Sequence, residues 1–458
     1  MPFIIGANSA GGDFSVDNSC KFNRAGSAYM HITPGGAGST TTFTFSAWLK
    51  RGTITSNQMF FEVGAGGTSD DFLFYFHSGD TVKIFDYDGG GTNIAILTNQ
   101  VFRDPSAWYH LVLAVDTTQV TDTNRVKLYV NGTQVTSLAT ATYPVQDFVL
   151  DVNSTDTHWI GRRGDGVDYF DGYMAEVCLI DGTQYAASDF GEFNEDSPTI
   201  WQPKSVSGLT FGTNGFYLDF EDSSALGNDV SGNGNDLTAV NITATDQATD
   251  TPTNNFATAN SNMISTTDVV LTEGNLTVTS DYASGWQYAG STFAVNTGKW
   301  YWEAKATVVA ATDKTFIGVG QFNTGEVDFV GDANLGLSNG LTGHGAGVGS
   351  YSYAQGDIIM VAMDITNNKI YYGDNGTWFG TLDPAAGTGA TTQTVDNNNF
   401  CMPMVGGYGG SSWDLNFGYP AFTVSSGNAD ANGYGNFEYA VPTGFLALCS
   451  KNLGSDGG

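Results

Sequence analysis

Basic residues are scarce in this chain. Of its 458 residues, 16 are Lys or Arg against 47 Asp or Glu, so the net charge is −31. An excess of that size repels a phosphate backbone, which excludes nucleic acid as a partner and disfavours anionic membrane surfaces. Cysteine is also rare: Cys20, Cys178, Cys401 and Cys449 stand far apart, without a Cys-x-x-Cys. That spacing argues against a disulfide framework and against a cysteine zinc site. Five histidines, and no strand-to-helix context around the lone Gly-x-Ser-x-Gly at Gly336 to Gly340, leave little for nucleophilic hydrolysis. No apolar run approaches the roughly 20 residues that span a bilayer, so no membrane insertion is expected. The start, Met1 to Gly6, lacks a basic segment and a long apolar core, so it does not read as a signal peptide. Synthesis in a cytoplasm is the expectation. Helical periodicity is missing too: no dozen residues carry a 3.6 period with good caps.

What is abundant is glycine, at 60 residues, and aromatic side chains, at 13%. Turn residues punctuate short alternating runs along the whole chain, the pattern of all-β sandwiches or barrels. Thr42 to Leu49 alternates with period 2 and places Phe43, Phe45, Ala47 and Leu49 on one face. One two-strand unit occurs twice. The first copy is Trp108 to Asp116 followed by Arg125 to Gly132; the second is Asp357 to Asp364 followed by Lys369 to Gly376. Each is a buried apolar strand closed by Asp, then a strand ending in Asn-Gly, the dipeptide suited to the positive φ angles of a tight hairpin turn. The fold class expected is all-β, with two β-sandwich domains over residues 1–205 and 263–458. Residues 206–262, rich in Gly, Asn, Asp and Thr, read as an irregular connector.

The strand ending in Ala47-Trp48, the run Trp108-Tyr109-His110-Leu111-Val112, the hairpin Val126 to Gly132, Ile160-Gly161-Arg162, and Phe170 to Val177 together resemble the LamG-like, concanavalin A-type jelly roll. Gly298 to Glu303, Ile317 to Gly320, the Asn375-Gly376 hairpin and Asn416 to Phe422 resemble a SPRY domain, itself a concanavalin A-like sandwich. With Met1 to Gly6, Asn214 to Phe220 and Pro442 to Cys449, the combination resembles LamG-plus-SPRY virion proteins of tailed bacteriophages. That resemblance implies a virion location and other virion proteins as partners, with homo-oligomerisation left open.

The residues bear on three chemistries. A glycan-degrading enzyme of this fold needs paired carboxylates facing a cleft, yet Asp219 and Glu221 share a face without a third acid, and Glu176 has no partner in sequence. Calcium is the ion implied by Asp229, Ser231, Asn233 and Asn235, whose spacing matches the first half of an EF-hand loop, although position 12 is Val240. The same run also suits a series of Asx turns. Asp165, Asp168 and Asp171 form a second oxygen-rich set, and the LamG resemblance implies calcium on such loops. Tyr351, Tyr353, Trp378, Tyr408 and Trp413 lie in or beside Gly-rich loops and are the candidate ligand-binding aromatics, for a glycan or a protein; core packing is the alternative for each. The reading that results is a non-enzymatic phage virion protein, a tail-fibre or receptor-binding component contacting a host-surface glycan. The alternative is capsid decoration or tail bridging, and a polysaccharide-degrading enzyme comes third.

Overall fold

In a computed structural model the described residues are 14–67, 71–280, 287–309, 315–323, 326–328, 336–338, 353–389, 399–407 and 409–456. Their regular secondary structure is nearly all strand; among them the one α-helix is Ser450–Asp456. The chain divides into two compact units, with the boundary between Thr253 and Asn254.

The N-terminal unit is a sandwich of two eight-stranded sheets. One runs Thr133–Gln134, Val126–Val130, Trp108–Asp116, Thr42–Arg51, Gly172–Asp181, Ser19–Phe22, Gln247–Ala248, with Phe216–Leu218 joined to Gly172–Asp181. The other runs Leu138–Thr142, Gly91–Val101, Thr81–Asp88, Asp71–Phe76, Gln58–Val63, His158–Ile160, Tyr29–Ile32, Thr238–Val240. Because side chains alternate along a strand, Phe43, Phe45, Ala47 and Leu49 all point inward, as their spacing predicts. They meet Phe72, Phe74 and Phe76 of the facing sheet, and the Phe45 and Phe61 rings stack 4.7 Å apart.

The first sheet is also covered on its outer side. Residues 182–215 fold back over it, and Phe190, Val206 and Phe211 pack on Val112, Cys178 and Ile180. This explains why every residue of Gly172–Asp181 is buried. It also explains how Cys178, a free thiol like the other three cysteines, serves as a small apolar filler.

Residues 206–253 differ from the expected connector. Phe216–Leu218 pairs with Gly172–Asp181, Thr238–Val240 pairs with Tyr29–Ile32, and Gln247–Ala248 pairs with Ser19–Phe22. The strands are short and interrupted by Asx turns, so no period-2 run announces them. Their last residues close a buried charge pair: Lys50 Nζ lies 2.6 Å from Asp250 Oδ2, with both side chains essentially inaccessible. Trp108 Nε1 donates to the other Asp250 oxygen at 3.2 Å.

The C-terminal unit is again two sheets. Six strands run Ala259–Ile264, Gln287–Ser291, Cys401–Gly407, Thr315–Asn323, Glu326–Asp328, with Gly336–Ser338 on Thr315–Asn323. Eight more run Val269–Thr272, Thr277–Ser280, Ser411–Asn416, Lys299–Val308, Ile358–Asp364, Lys369–Asp374, Thr377–Trp378, with Leu446–Ala447 parallel to Lys299–Val308. Glu303, fully buried, fastens the C-terminal segment to this sheet. Its carboxylate accepts the Glu438 and Tyr439 N–H groups at 2.9 Å, the Tyr301 hydroxyl at 2.8 Å and Asn416 Nδ2 at 3.2 Å.

Both repeated hairpins form and share one device. Asn131 and Gly132 have φ of 46° and 78°, and Asn375 and Gly376 have 45° and 85°. These are the two positive angles a tight turn between paired strands requires. Asn131 Oδ1 accepts the His110 N–H at 2.8 Å, and Asn375 Oδ1 accepts the Ile358 N–H at 3.1 Å. Each side chain thus ties its turn back to the preceding strand.

Removing one member of a buried pair leaves the other charge without its counter-ion. Lys50→Met is therefore expected to cost about 3 kcal/mol in denaturant unfolding of this unit. The double variant Lys50→Met with Asp250→Leu is expected to recover most of that loss. A neutral single variant would show that the pair does not couple the terminal strand to the sheet.

Candidate functional site

Outward-pointing residues of the first sheet build a cavity of about 530 Å³. Trp48 and Trp108 come from adjacent strands, where Trp48 pairs with His110 and Lys50 with Trp108. Trp201 comes from a two-stranded ribbon, Gly191–Phe193 against Trp201–Pro203, that lies over the sheet. The rim is polar: Gln100, Asn131, Thr133, Gln134, Thr136 and Thr199.

His110 holds this wall together. Its ring stacks on Trp48 at 4.6 Å and 16°, and on Trp201 at 6.0 Å and 21°. Trp201 Nε1 donates to His110 Nδ1 at 2.9 Å, so Nδ1 is the acceptor and Nε2 carries the hydrogen toward Ser46 Oγ, also at 2.9 Å. Burial pushes the imidazole down to about 3, so it stays neutral and keeps that tautomer across the physiological range. Two glycines make room for Trp201: a Cβ on Gly132 would come within 2.3 Å of its ring, and one on Gly191 within 2.7 Å. Phe193 packs edge-on against Trp201 at 4.9 Å and is 46% exposed. The result is a rigid aromatic floor with amides and hydroxyls around it, at a volume typical of small-ligand sites.

Of the expected ligand-binding aromatics, the three among the described residues do not form such a surface. Tyr353 is buried; its hydroxyl donates to the Thr315 carbonyl at 2.6 Å and its ring sits 5.6 Å from Trp413. Trp413 is buried in a strand flanked on both sides, and its indole donates to the Gly406 carbonyl at 3.1 Å. Trp378 is half-buried against Tyr301 at 6.4 Å. Tyr351 and Tyr408 lie outside the described residues.

The oxygen-rich loops do not fit calcium either. Asp229 Oδ1 accepts the N–H groups of Tyr217 and Ser231, and Oδ2 accepts the Ser231 hydroxyl and the Asn235 N–H. Asn233 and Asn235 turn their Nδ2 groups to backbone carbonyls of residues 212–215. These are turn-forming bonds, and they leave the donors facing backbone instead of a shared centre. Asp165 and Asp168 pair with Arg163, whereas Asp171 is buried and takes the Thr53 hydroxyl. Among the described residues no three His, Cys, Asp or Glu side chains stand close enough to hold a metal ion.

The acids Asp219, Glu221 and Glu176 take part in hydrogen bonds within the unit. Asp219 Oδ1 caps the Glu221 N–H, and Glu176 accepts the Tyr217 hydroxyl at 2.6 Å. A different acid stands out. Glu62 is fully buried in Gln58–Val63; Oε2 accepts the Gly164 N–H at 3.0 Å, and among the described residues Oε1 has no hydrogen-bond partner. Burial, offset in part by that bond, pushes it up to about 8.

Sequence reasoning missed Trp201 and Phe193. The available signal was an aromatic standing between Pro198 and Pro203, outside any core-periodic run.

Residues 24–186 match the family profile described as the concanavalin A-like lectin/glucanases superfamily, so the N-terminal unit carries a concanavalin A-like domain. Trp48, Trp108 and Asn131 fall within the match; Phe193 and Trp201 lie beyond it. No curated protein matches the chain. Among solved structures, the SPRY domain of human HERC1 is similar at 18% identity, over 34% of this chain and 96% of that one, with a TM-score of 0.28. A putative carbohydrate binding protein from Bacteroides ovatus is similar at 18% identity, over 50% and 60%, with a TM-score of 0.35. A heptameric SAP-like pentraxin from Limulus polyphemus is similar at 14% identity, over 36% and 76%, with a TM-score of 0.27. Among the described residues no helix is long and apolar enough to cross a membrane.

Glu62 yields a pH test. Its carboxyl keeps its proton in the fold up to about 8, against an ordinary value of 4.5 in the unfolded chain. Its contribution to stability is therefore fully present below 4.5 and is lost as pH rises through about 8. Glu62→Gln, which cannot ionise, is expected to melt progressively higher than the parent as buffers are raised from about pH 5 to about pH 9. A constant difference across that range would contradict the assignment.

Proposed function

We propose that the N-terminal unit is a non-enzymatic carbohydrate-binding domain and that the Trp201 cavity is its site. The observation that carries this reading is the pairing of a half-exposed indole, locked by His110 and two glycines, with a rim of Asn131, Gln134, Thr133 and Gln100. Pyranose rings present apolar C–H faces that pack on indole, and equatorial hydroxyls that exchange hydrogen bonds with amides. A floor and rim of this kind meet both needs without a charged group. The concanavalin A-like match over residues 24–186 supports the same class of ligand.

For the chain as a whole, the resemblance in sequence to LamG-plus-SPRY virion proteins of tailed phages supports an adhesion role in a tail fibre or receptor-binding complex. The sugar would then belong to the surface of a bacterial host. Capsid decoration would need no exposed sugar-sized cavity, so the cavity favours adhesion.

Trp201→Ala should remove the floor while leaving the buried Trp48–His110 stack in place. Retention on immobilised host-envelope glycans, or titration with neutral oligosaccharides, is expected to weaken about tenfold or more, the equivalent of roughly 1.4 kcal/mol. Unchanged affinity in a folded variant would refute the site.

A further inference from the structure

The outer face of the second sheet carries a cation that forms no ion pair among the described residues. Met30 and Ile160 are fully buried on the inner side. Alternation therefore turns Tyr29, His31 and Trp159 outward, with His31 and Trp159 directly opposite each other across Tyr29–Ile32 and His158–Ile160. Their rings lie 5.2 Å apart, and Tyr29 lies 5.8 Å from Trp159. Gly161, at φ 87° and with the Phe22 ring where a Cβ would stand, bends the chain back over this face. The bend lays Arg162 on the rings, with its guanidinium carbon 3.9 Å from the Tyr29 centroid and 4.2 Å from that of Trp159. Trp159 is itself pinned, its indole donating to the Gly64 carbonyl at 2.8 Å.

Stacking on two rings fixes the plane of a guanidinium and leaves its edges to find acceptors. Here they find almost none. Among the described residues the one hydrogen bond is a long one, from Nη2 to the Gly164 carbonyl at 3.4 Å, and the buried Nε finds no partner there. Among the described residues Arg162 forms no ion pair, although two aspartates lie within a few residues; Asp165 and Asp168 both go to Arg163. Glu62, opposite Trp159 in the neighbouring strand, keeps its proton in the fold and so offers no compensating charge. The His31 imidazole is held below its ordinary value, by burial first and by the Arg162 charge second. In a chain of net charge −31, an oriented guanidinium on a half-buried arginine, with no carboxylate partner among the described residues, fits an anion from outside.

We propose that Arg162, held on Tyr29 and Trp159, is a second saccharide site that selects an acidic sugar, a uronate whose carboxylate takes the open edge of the guanidinium. A planar fork matches a planar carboxylate with two parallel bonds. The half-exposed rings of His31 and Tyr169, the latter 6.3 Å from Tyr29, provide the apolar flank that a sugar ring needs and a free inorganic anion does not. The inference rests on the reading of this unit as saccharide-binding but uses none of the residues of the Trp201 cavity.

The test is calorimetric titration of the full chain with oligomers of galacturonate, glucuronate and mannuronate, and in parallel with neutral and with sulfated oligosaccharides of equal length. At least one uronate oligomer is expected to bind, and to bind more weakly as salt is raised. Arg162→Gln is expected to weaken it about tenfold or more, with neutral-sugar binding unchanged. Arg162→Lys, which keeps the charge and loses the fork, is expected to fall between the two and serves as the deciding variant if Arg162→Gln melts early. No uronate binding, equal binding by Arg162→Gln, or binding of the sulfated oligomer alone would each overturn the proposal. Persistence of neutral-sugar binding in those cases would leave the Trp201 reading standing. Loss of neutral binding alone would remove that reading and not this one.

Discussion

The Trp201 cavity and the elements around it depend on one constraint: the first sheet of the N-terminal unit must be covered on both faces. Inward residues such as Phe45 and Leu113 close the sandwich, which any two-sheet fold demands. The outward residues of the same strands are Ser46, Trp48, Lys50, His110 and Val112, and water cannot be left against most of them. Residues 182–215 supply the cover over Val112 and Cys178, and Asp250 supplies the counter-ion for Lys50. Where that cover thins, at the edge formed by the Asn131-Gly132 turn, the Trp201 ribbon bridges the gap and leaves a cavity beside it. The candidate site is thus a by-product of two-sided burial. Its rigidity comes from the same stack, Trp48 on His110 on Trp201, that completes the cover.

This arrangement also shows how far the sequence can be read. The all-β class, the inward face of Thr42–Arg51 and both Asn-Gly hairpins were legible because each rests on neighbours in sequence: a period of 2 or a dipeptide needing two positive φ angles. The strands between residues 206 and 253 were not, since each is two or three residues long and owes its existence to a partner strand far away in the chain. Trp413 and Tyr353 illustrate the same limit. A Gly-rich neighbourhood suggested exposure, yet strand pairing on both sides of Ser411–Asn416 buries the indole. The Asp229 loop had the spacing of a metal site, but whether its oxygens meet a cation or backbone N–H groups is decided by the fold around it, here by Tyr217 and residues 212–215.

Trp201 and Arg162 escaped for a related reason. Each is an isolated side chain in sequence, and what orients it is what it stacks on: His110, 91 residues away, in one case, and Tyr29 and Trp159 in the other. Aromatic contacts across strands leave no periodic trace. The two surfaces differ in chemistry, one uncharged and cavity-like, the other a single oriented cation on an open sheet face. A domain presenting both to a heteropolysaccharide would read two kinds of residue along one chain.

The central claim is that sugar is bound at the ribbon-bridged edge of the first sheet. A crystal structure of the chain soaked with a neutral oligosaccharide that it binds tests this most directly. The account predicts a pyranose ring against Trp201 and Phe193, with its hydroxyls at Asn131 and Gln134. A ring bound only to the C-terminal unit, with that edge unchanged, would contradict it.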